Sequence, residues 1–390
     1  MFETSWPHKI VCGENAIRYL EGYSAKRAAI VISGSFRKNN AEVWATLDGI
    51  MKKNGTAFRE IEGPGREPTL TYCKEAAKDM IDFQPDLILA VGGGSTLDAA
   101  KVMEIYYEHP DITDEQIKAR FALPKIRAKA RHIAVPTTSG TGSEVSPFNV
   151  VYMDSGNAAM PQVKVGIADY QTIPDVVLLD PSFTFSAPPA VTASTGMDAF
   201  VHAIESYTSA KPANFFTDLH ALEAMKLTLK WLPVTYKEPR NAEARSNMQI
   251  AATMAGLSIA SRGTGLAHGV GQQLGPLFGV PHGLSVSIVL EAVMRFNAPL
   301  ALKRYAEVAR YVGLGGDSDE KSLENLMTKI IALSEELKFP KKLGDLDIDK
   351  NFYLSKMSVL VQNALENGGT KFNPRVPNAA EVEGIFMSLV

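Results

Sequence analysis

Asp86-Leu87-Ile88-Leu89-Ala90-Val91-Gly92-Gly93-Gly94-Ser95-Thr96-Leu97-Asp98 carries the pattern of a strand, a glycine turn and a helix. An apolar run of strand length stops at three glycines, and a helix-like segment opens from Ser95. Glycines let a backbone approach a phosphate closely, and a helix N-terminus adds free N–H groups and the positive end of its dipole. Ser95 or Thr96 serves equally as an N-cap and as a phosphate donor. The spacing fits neither GxxxxGK[ST] nor GxGxxG, so a tight strand–helix turn without a ligand stands as the alternative.

Outward from this stretch the same alternation recurs. Residues 28–33 (AAIVIS) form a short apolar run ending at Gly34. Residues 41–54 carry Val43, Leu47, Ile50 and Met51 at helical spacing and stop at Gly55. Another helix is expected over 72–83, ahead of Pro85. Further strands are expected over 132–135, closed by Pro136, and over 175–180 (DVVLLD), closed by Pro181. Strands alternating with helices pair in parallel, in a sheet covered on both faces. After Ser186-Ala187-Pro188-Pro189 the texture changes, and from Thr192 nearly everything reads as helix. The expected division is an α/β domain over residues 1–187 and an all-α domain over 188–390.

Composition narrows the function classes. The 390 residues, at roughly 150 per domain, admit two or three domains. Lys+Arg 40 against Asp+Glu 43 leaves a net charge of −3, which argues against a nucleic-acid partner. Cys12 and Cys73 lie in no CxxC pair and exclude a disulfide framework. No apolar run approaches the length of a bilayer span, and MFETSWPHKIVCG shows no basic stretch leading into an apolar one. The expectation is a cytoplasmic enzyme with no membrane partner.

Two clusters carry chemistry. Pro136-Thr137-Thr138-Ser139-Gly140-Thr141-Gly142-Ser143 is a second hydroxyl- and glycine-rich loop directly after a strand. Two such loops at the ends of parallel strands suit a dinucleotide lying across the sheet edge. In the helical half, Asp198 and His202 are four apart, which on a helix sets carboxylate and imidazole on one face. His268 follows in Gly265-Leu266-Ala267-His268-Gly269, and His282 in Val280-Pro281-His282-Gly283. One Asp and three His form an N/O set suited to Fe2+ or Zn2+. Taken singly, the Asp–His pair is also the pattern of a surface ion pair, and each later histidine that of a core or loop residue.

Together these segments resemble the iron-containing (group III) alcohol dehydrogenase family. The resemblance runs through GGGSTLDAAK (92–101), VPTTSGTGSE (135–144), TGMDAFVHAIESY (195–207), AHGVGQQLGPLFGVPHG (267–283) and the late NPR (373–375). It implies a Rossmann-like α/β N-terminal domain, a helical C-terminal domain and a homo-oligomer, usually a dimer. It implies one divalent metal, Fe2+ favoured over Zn2+, on Asp198, His202, His268 and His282. It further implies that Gly93, Gly94 and Ser95 hold a pyrophosphate with Asp98 close by. Thr137, Thr138, Ser146, Phe148 and Lys164 would then line the rest of the dinucleotide path.

Three departures from that family carry information. Gly34 stands where many NAD-preferring members place an Asp that accepts from the adenosine ribose, and Ser35, Arg37 and Lys38 follow it. Loss of a carboxylate removes repulsion against a 2′-phosphate, so NADP(H) is the expected coenzyme, unless Arg37 and Lys38 merely open a solvated helix. Gln272 stands where members carry a further histidine; an amide orients a substrate but cannot titrate, so no acid/base residue is assigned. Arg262 falls in a segment that is usually Asn-Asn-Ala. It either contacts an anionic group on the substrate or pairs internally with Glu205, Glu291 or another acid.

The function expected is hydride transfer between nicotinamide and a small alcohol or aldehyde, assisted by the metal. The alternatives are a lyase resembling dehydroquinate synthase and a non-catalytic, metal-stabilised binding protein.

Overall fold

The computed structural model describes residues 4–34, 36–65, 67–154 and 162–390. They form two compact units, one of residues 4–187 with 239–253, the other of 188–238 with 254–390. The stretch 239–253 therefore clusters with the N-terminal half, although a division at 187/188 puts it with the C-terminal half. Among the described residues no single helix is long and apolar enough to cross a membrane.

The first unit holds the sheet. Its strands are β1 (Lys9–Cys12), β2 (Arg27–Ile32), β3 (Ala57–Glu62), β4 (Leu87–Gly92), β5 (Arg131–Pro136), β6 (Phe148–Asp154), β7 (Gln162–Ala168) and β8 (Val176–Leu179). Six of them run parallel in the order β1-β8-β5-β4-β2-β3, and β6 and β7 form a separate antiparallel pair. The helices of this unit are α1 (Phe36–Asn39), α2 (Ala41–Lys53), α3 (Leu70–Phe83), α4 (Gly94–Glu108) and α5 (Asp114–Lys118).

Strand periodicity divides the core in two. Ala29, Val31, Ile88, Ala90 and Ala134 pack on one face with Leu70, Ala77 and Met80 of α3 and Leu97, Ala100 and Met103 of α4. Ala28, Ile30, Leu89, Val91, Ile133 and Leu178 pack on the other with Trp44, Leu47 and Met51 of α2. Strands buried on both faces read as continuous apolar runs, which is why β2, β4, β5 and β8 are legible.

The second unit is helical. It contains α6 (Pro189–Thr208), α7 (Phe215–Lys237), the end of α8 (Ala242–Arg262), α9 (Leu266–Gly271), α10 (Leu274–Phe278), α11 (His282–Ile288) and α12 (Leu290–Tyr311). α13 (Asp319–Glu336), α14 (Lys350–Ser355), α15 (Met357–Glu366) and α16 (Ala379–Met387) complete it. α6 is buried along almost its whole length, and Gly196 lets it approach α7 so closely that a Cβ there would overlap the side chain of Leu232.

Candidate metal and coenzyme sites

α6 carries Asp198, His202 and Glu205 at intervals of four and three residues, hence on one helical face. α9 brings His268 to that face, and α11 starts at His282, with Pro281 as its N-cap. Close approach makes this convergence possible. A Cβ on Gly283 would overlap the carbonyl oxygen of Ser194, and one on Gly271 would lie 2.6 Å from that of Ser285.

The imidazoles gather around one carboxylate oxygen. Asp198 Oδ1 lies 3.5 Å from His268 Nε2, 3.6 Å from His282 Nε2 and 3.9 Å from His202 Nε2. Asp198, His268 and His282 each offer a ligand atom, all within 4.8 Å of one another. The His202 and His268 rings stack at 4.5 Å between centroids. Asp198 Oδ1 and His268 Nε2 are buried with no hydrogen-bond partner. Buried polar atoms aimed at a common point without hydrogen bonds fit a cation bound among them. One carboxylate with imidazole nitrogens is also a donor set for a divalent transition metal.

Glu205 adds a further group that the sequence reading left without a role at this site. Its Oε2 accepts from His268 Nδ1 at 2.5 Å, and its Oε1 accepts from the His268 backbone N–H at 3.1 Å. Its position three residues after His202 on the face of α6 was the available signal. The electrostatics favour positive charge at this point. Burial pushes the His268 pKa down, but the Glu205 and Asp198 carboxylates outweigh it and raise the group to about 9. Burial likewise opposes ionisation of Asp198, yet the surrounding imidazoles hold its carboxyl well below the usual range. The NPR segment supports the same region: Asn373 Oδ1 accepts from Leu266 N at 3.2 Å, the first residue of α9.

The other candidate residues of the helical unit differ in their surroundings. Gln272 is half-buried one turn after His268, its backbone N–H donating to the His268 carbonyl at 3.1 Å. Arg262 is buried, and its guanidinium donates to Asp218 Oδ1 at 3.4 Å and to the carbonyls of Ser209 at 2.6 Å and Tyr207 at 3.4 Å. Of its two expected roles, these bonds are those of the internal pair, with Asp218 as the acid.

In the first unit, β4 ends at Gly92 and α4 begins at Gly94, with Gly93 as the extended N-cap between them. The two glycine-rich loops touch. A Cβ on Gly93 would lie 3.3 Å from Thr138 Oγ1, and one on Gly94 would lie 2.6 Å from Thr141 Cγ2. Ser95, Thr137 and Thr138 are half-buried beside them. Such paired loops at the carboxyl ends of neighbouring parallel strands present backbone N–H groups to a phosphate.

Asp98 and Lys101 lie one turn further into α4 and tie the loops together from beneath. Asp98 Oδ1 accepts from Ser143 Oγ, and Oδ2 accepts from Val150 N at 2.9 Å. Lys101 Nζ donates to the Ser146 carbonyl at 2.9 Å and lies 3.4 Å from that of Phe148. Burial pushes the Lys101 pKa down to about 8 against the pull of Asp98 and Glu144. Both oxygens of Asp98 are thus engaged within the protein. Ser146 is buried, while Phe148 and Lys164 are half-buried on β6 and β7. Ser35 lies outside the described residues.

Comparison with known proteins bears on both units. Residues 7–181 match the family described as iron-containing alcohol dehydrogenase, and residues 192–390 match its C-terminal part. The chain belongs to the iron-containing alcohol dehydrogenase family. It is 33% identical over 386 residues to an NADPH-dependent butanol dehydrogenase of Clostridium saccharobutylicum, covering 99% of this chain and 97% of that one. The iron-containing alcohol dehydrogenase of Thermococcus thioreducens is a structural relative, with a TM-score of 0.88, 32% identity and 100% and 99% of the two chains covered. Sulfoacetaldehyde reductase of Bifidobacterium kashiwanohense, solved with NAD+, matches with a TM-score of 0.86, 26% identity and coverage of 100% and 98%. The chain spans less than half the length of the bifunctional aldehyde-alcohol dehydrogenases that it also matches. The protein is thus a metal-dependent alcohol dehydrogenase, and the family implies a divalent metal and NAD(P).

Proposed function

We propose that Asp198, His202, His268 and His282 hold the divalent metal, and that Gly93, Gly94, Ser95, Thr137 and Thr138 hold the coenzyme pyrophosphate. The observation that carries the metal assignment is the convergence of three imidazole Nε2 atoms on Asp198 Oδ1 at 3.5–3.9 Å. When bound, the cation supplies Lewis acidity, which lowers the pKa of an alcohol hydroxyl or stabilises the negative charge that develops on an aldehyde oxygen during reduction. The residues of the chain fix the geometry. Glu205 holds the His268 ring with Nε2 turned toward Asp198. Asp98 and Lys101 hold the loop that carries Thr137 and Thr138 against the start of α4. Gln272 orients the substrate oxygen or the coenzyme ribose by hydrogen bonds and passes no proton itself, so proton transfer relies on water, the ribose or another group.

Fe2+ is the favoured ion, with Zn2+ suited to the same donors. The substrate is a small alcohol or aldehyde. Arg262 gives no reason to expect an anionic one, because both its Nη groups are engaged by Asp218, Tyr207 and Ser209. The family resemblance also favours a homo-oligomer, and the sequence reading a cytoplasmic protein. The NADP(H) expectation drawn from Gly34 has one relative named as NADPH-dependent beside it, whereas the Glu62 carboxylate lying against Gly34 favours NAD(H). The deciding experiment is an assay of chelator-treated protein reloaded with Fe2+ or Zn2+, using neutral and anionic aldehydes with NADH and NADPH. Turnover restored by one ion and abolished by Asp198→Ala or His268→Ala is the expected result. Full turnover in metal-free protein would overturn the reading.

A further inference from the structure

The carboxyl ends of β2, β3 and β4 lie side by side, and they carry Gly34, Glu62 and Gly92. The phosphate loop follows β4, so the strands beside it are where a dinucleotide's adenosine ribose falls in a doubly wound sheet. In such sheets an acidic side chain at a neighbouring strand end reads the ribose 2′-hydroxyl and repels a 2′-phosphate. β2 has no such side chain at Gly34. Glu62 fills the gap from the next strand.

Register explains how it reaches. Ile32 pairs with Glu62 in the parallel β2–β3 ladder, and the Gly63 N–H donates to the Ile32 carbonyl at 2.6 Å. Period two along β3 sets Phe58, Glu60 and Glu62 on one face, and Phe58 meets Trp44 of α2 edge-on at 6.2 Å. The Glu62 carboxylate folds over Gly34: a Cβ on Gly34 would overlap its Oε1 and lie 3.3 Å from its Cδ. A side chain at position 34 and this pose of Glu62 exclude each other. Gly34 is therefore the residue that lets a carboxylate from β3 occupy the place beside β2.

Of the two cations that follow Gly34, Lys38 is exposed and Arg37 is already engaged. Arg37 Nη1 donates to both oxygens of Glu60, at 2.9 and 3.1 Å, and its guanidinium lies 5.1 Å from the Trp44 ring centroid. Glu60 thus neutralises the arginine that a 2′-phosphate would need, while the Glu62 carboxylate forms no salt bridge among the described residues.

We propose that Glu62 selects the coenzyme, accepting a hydrogen bond from the adenosine ribose of NAD(H) and disfavouring NADP(H) by like-charge repulsion. This rests on the coenzyme role proposed above for the first unit, and it stands against the NADP(H) expectation drawn from Gly34.

The test is the dissociation constant of NADH and of NADPH, read from their fluorescence on metal-free wild-type protein and on Glu62→Gln. The ratio of kcat/KM for the two coenzymes on metal-loaded protein is the parallel measurement. Wild type should prefer NADH, and Glu62→Gln should shift the preference toward NADPH by about tenfold or more. Glu62 is exposed, so the variant should fold. A wild type that prefers NADPH, or a preference that Glu62→Gln leaves unchanged, would overturn the proposal. Failure of both coenzymes to bind wild type at millimolar concentration would instead overturn the coenzyme role of the first unit, and the proposal with it.

Discussion

In the helical unit, His268 is held by a neighbour that is not itself a proposed ligand. This is Glu205, whose two oxygens bind the histidine twice, at the ring and at the backbone. A glutamine there keeps one acceptor and turns an N–H toward a group that donates. Glu205→Gln should therefore weaken metal binding by about 10- to 100-fold, as losses of such supporting bonds do. Competition with a chromophoric chelator measures it, and unchanged affinity would remove Glu205 from the site. Arg262 gives the opposite expectation. Its alanine variant loses bonds to Asp218 and two carbonyls, while Asp218 keeps Arg304 at 2.7 Å. The loss should be about 2–3 kcal/mol of stability, seen as a lower thermal midpoint. The ratio of kcat/KM for anionic over neutral aldehydes should stay within about twofold. A selective fall for anionic aldehydes would return Arg262 to the substrate.

At the scale of elements, helix-to-helix distance decides whether the histidines meet. α11 lies against α6 where Gly283 faces the Ser194 carbonyl, one residue from His282. Gly283→Ala should push α11 away, costing about 1–3 kcal/mol from overpacking and weakening metal binding with it. Gly344→Ala, where nothing lies within 4 Å of the new Cβ, is the control. Equal metal affinity in both variants would show that α11 has room to spare. The same scale shows what was legible in the sequence. β2, β4, β5 and β8 are buried on both faces and announce themselves as apolar runs. β3 (AFREIE) ends the sheet and buries only Ile61, so its charged residues read as a loop. β1, with no buried residue at the other end, and the β6–β7 pair, with Asn149, Lys164 and Gly166, were hidden for the same reason. Asp198 and His202 were legible as a pair because a four-residue interval fixes a helical face, while His268 and His282 joined them through the family resemblance. The supports were not, since nothing local links Glu205 to His268 or Arg262 to Asp218.

Over the whole molecule, acids and bases nearly cancel, and the balance conceals ionisable groups buried away from the proposed ligands. One such group lies at the start of β5. His132 Nδ1 donates to Glu104 Oε2 at 2.8 Å, Arg127 pairs with the other oxygen of Glu104, and Arg127 Nε reaches Asp175 Oδ2 at 3.3 Å. Burial, with Arg127 and Lys101 nearby, holds the His132 pKa well below its ordinary value and favours the neutral ring in the folded protein. The unfolded chain protonates it near pH 6.5. Below that pH the unfolded state binds a proton that the folded state refuses, and stability falls as pH drops, by up to about 1.4 kcal/mol per pH unit from this group. Between pH 6.5 and 5 the loss should approach about 2 kcal/mol. Glutamine at 132 keeps a donor for Glu104 and cannot titrate, so His132→Gln should be less stable at pH 7.5 yet flatter toward acid. Urea midpoints of the two proteins at pH 7.5, 6.5, 5.5 and 5.0 measure this. Parallel curves would mean that the folded protein already carries a protonated His132 against Glu104, and the order of charges in this buried group would have to be rewritten.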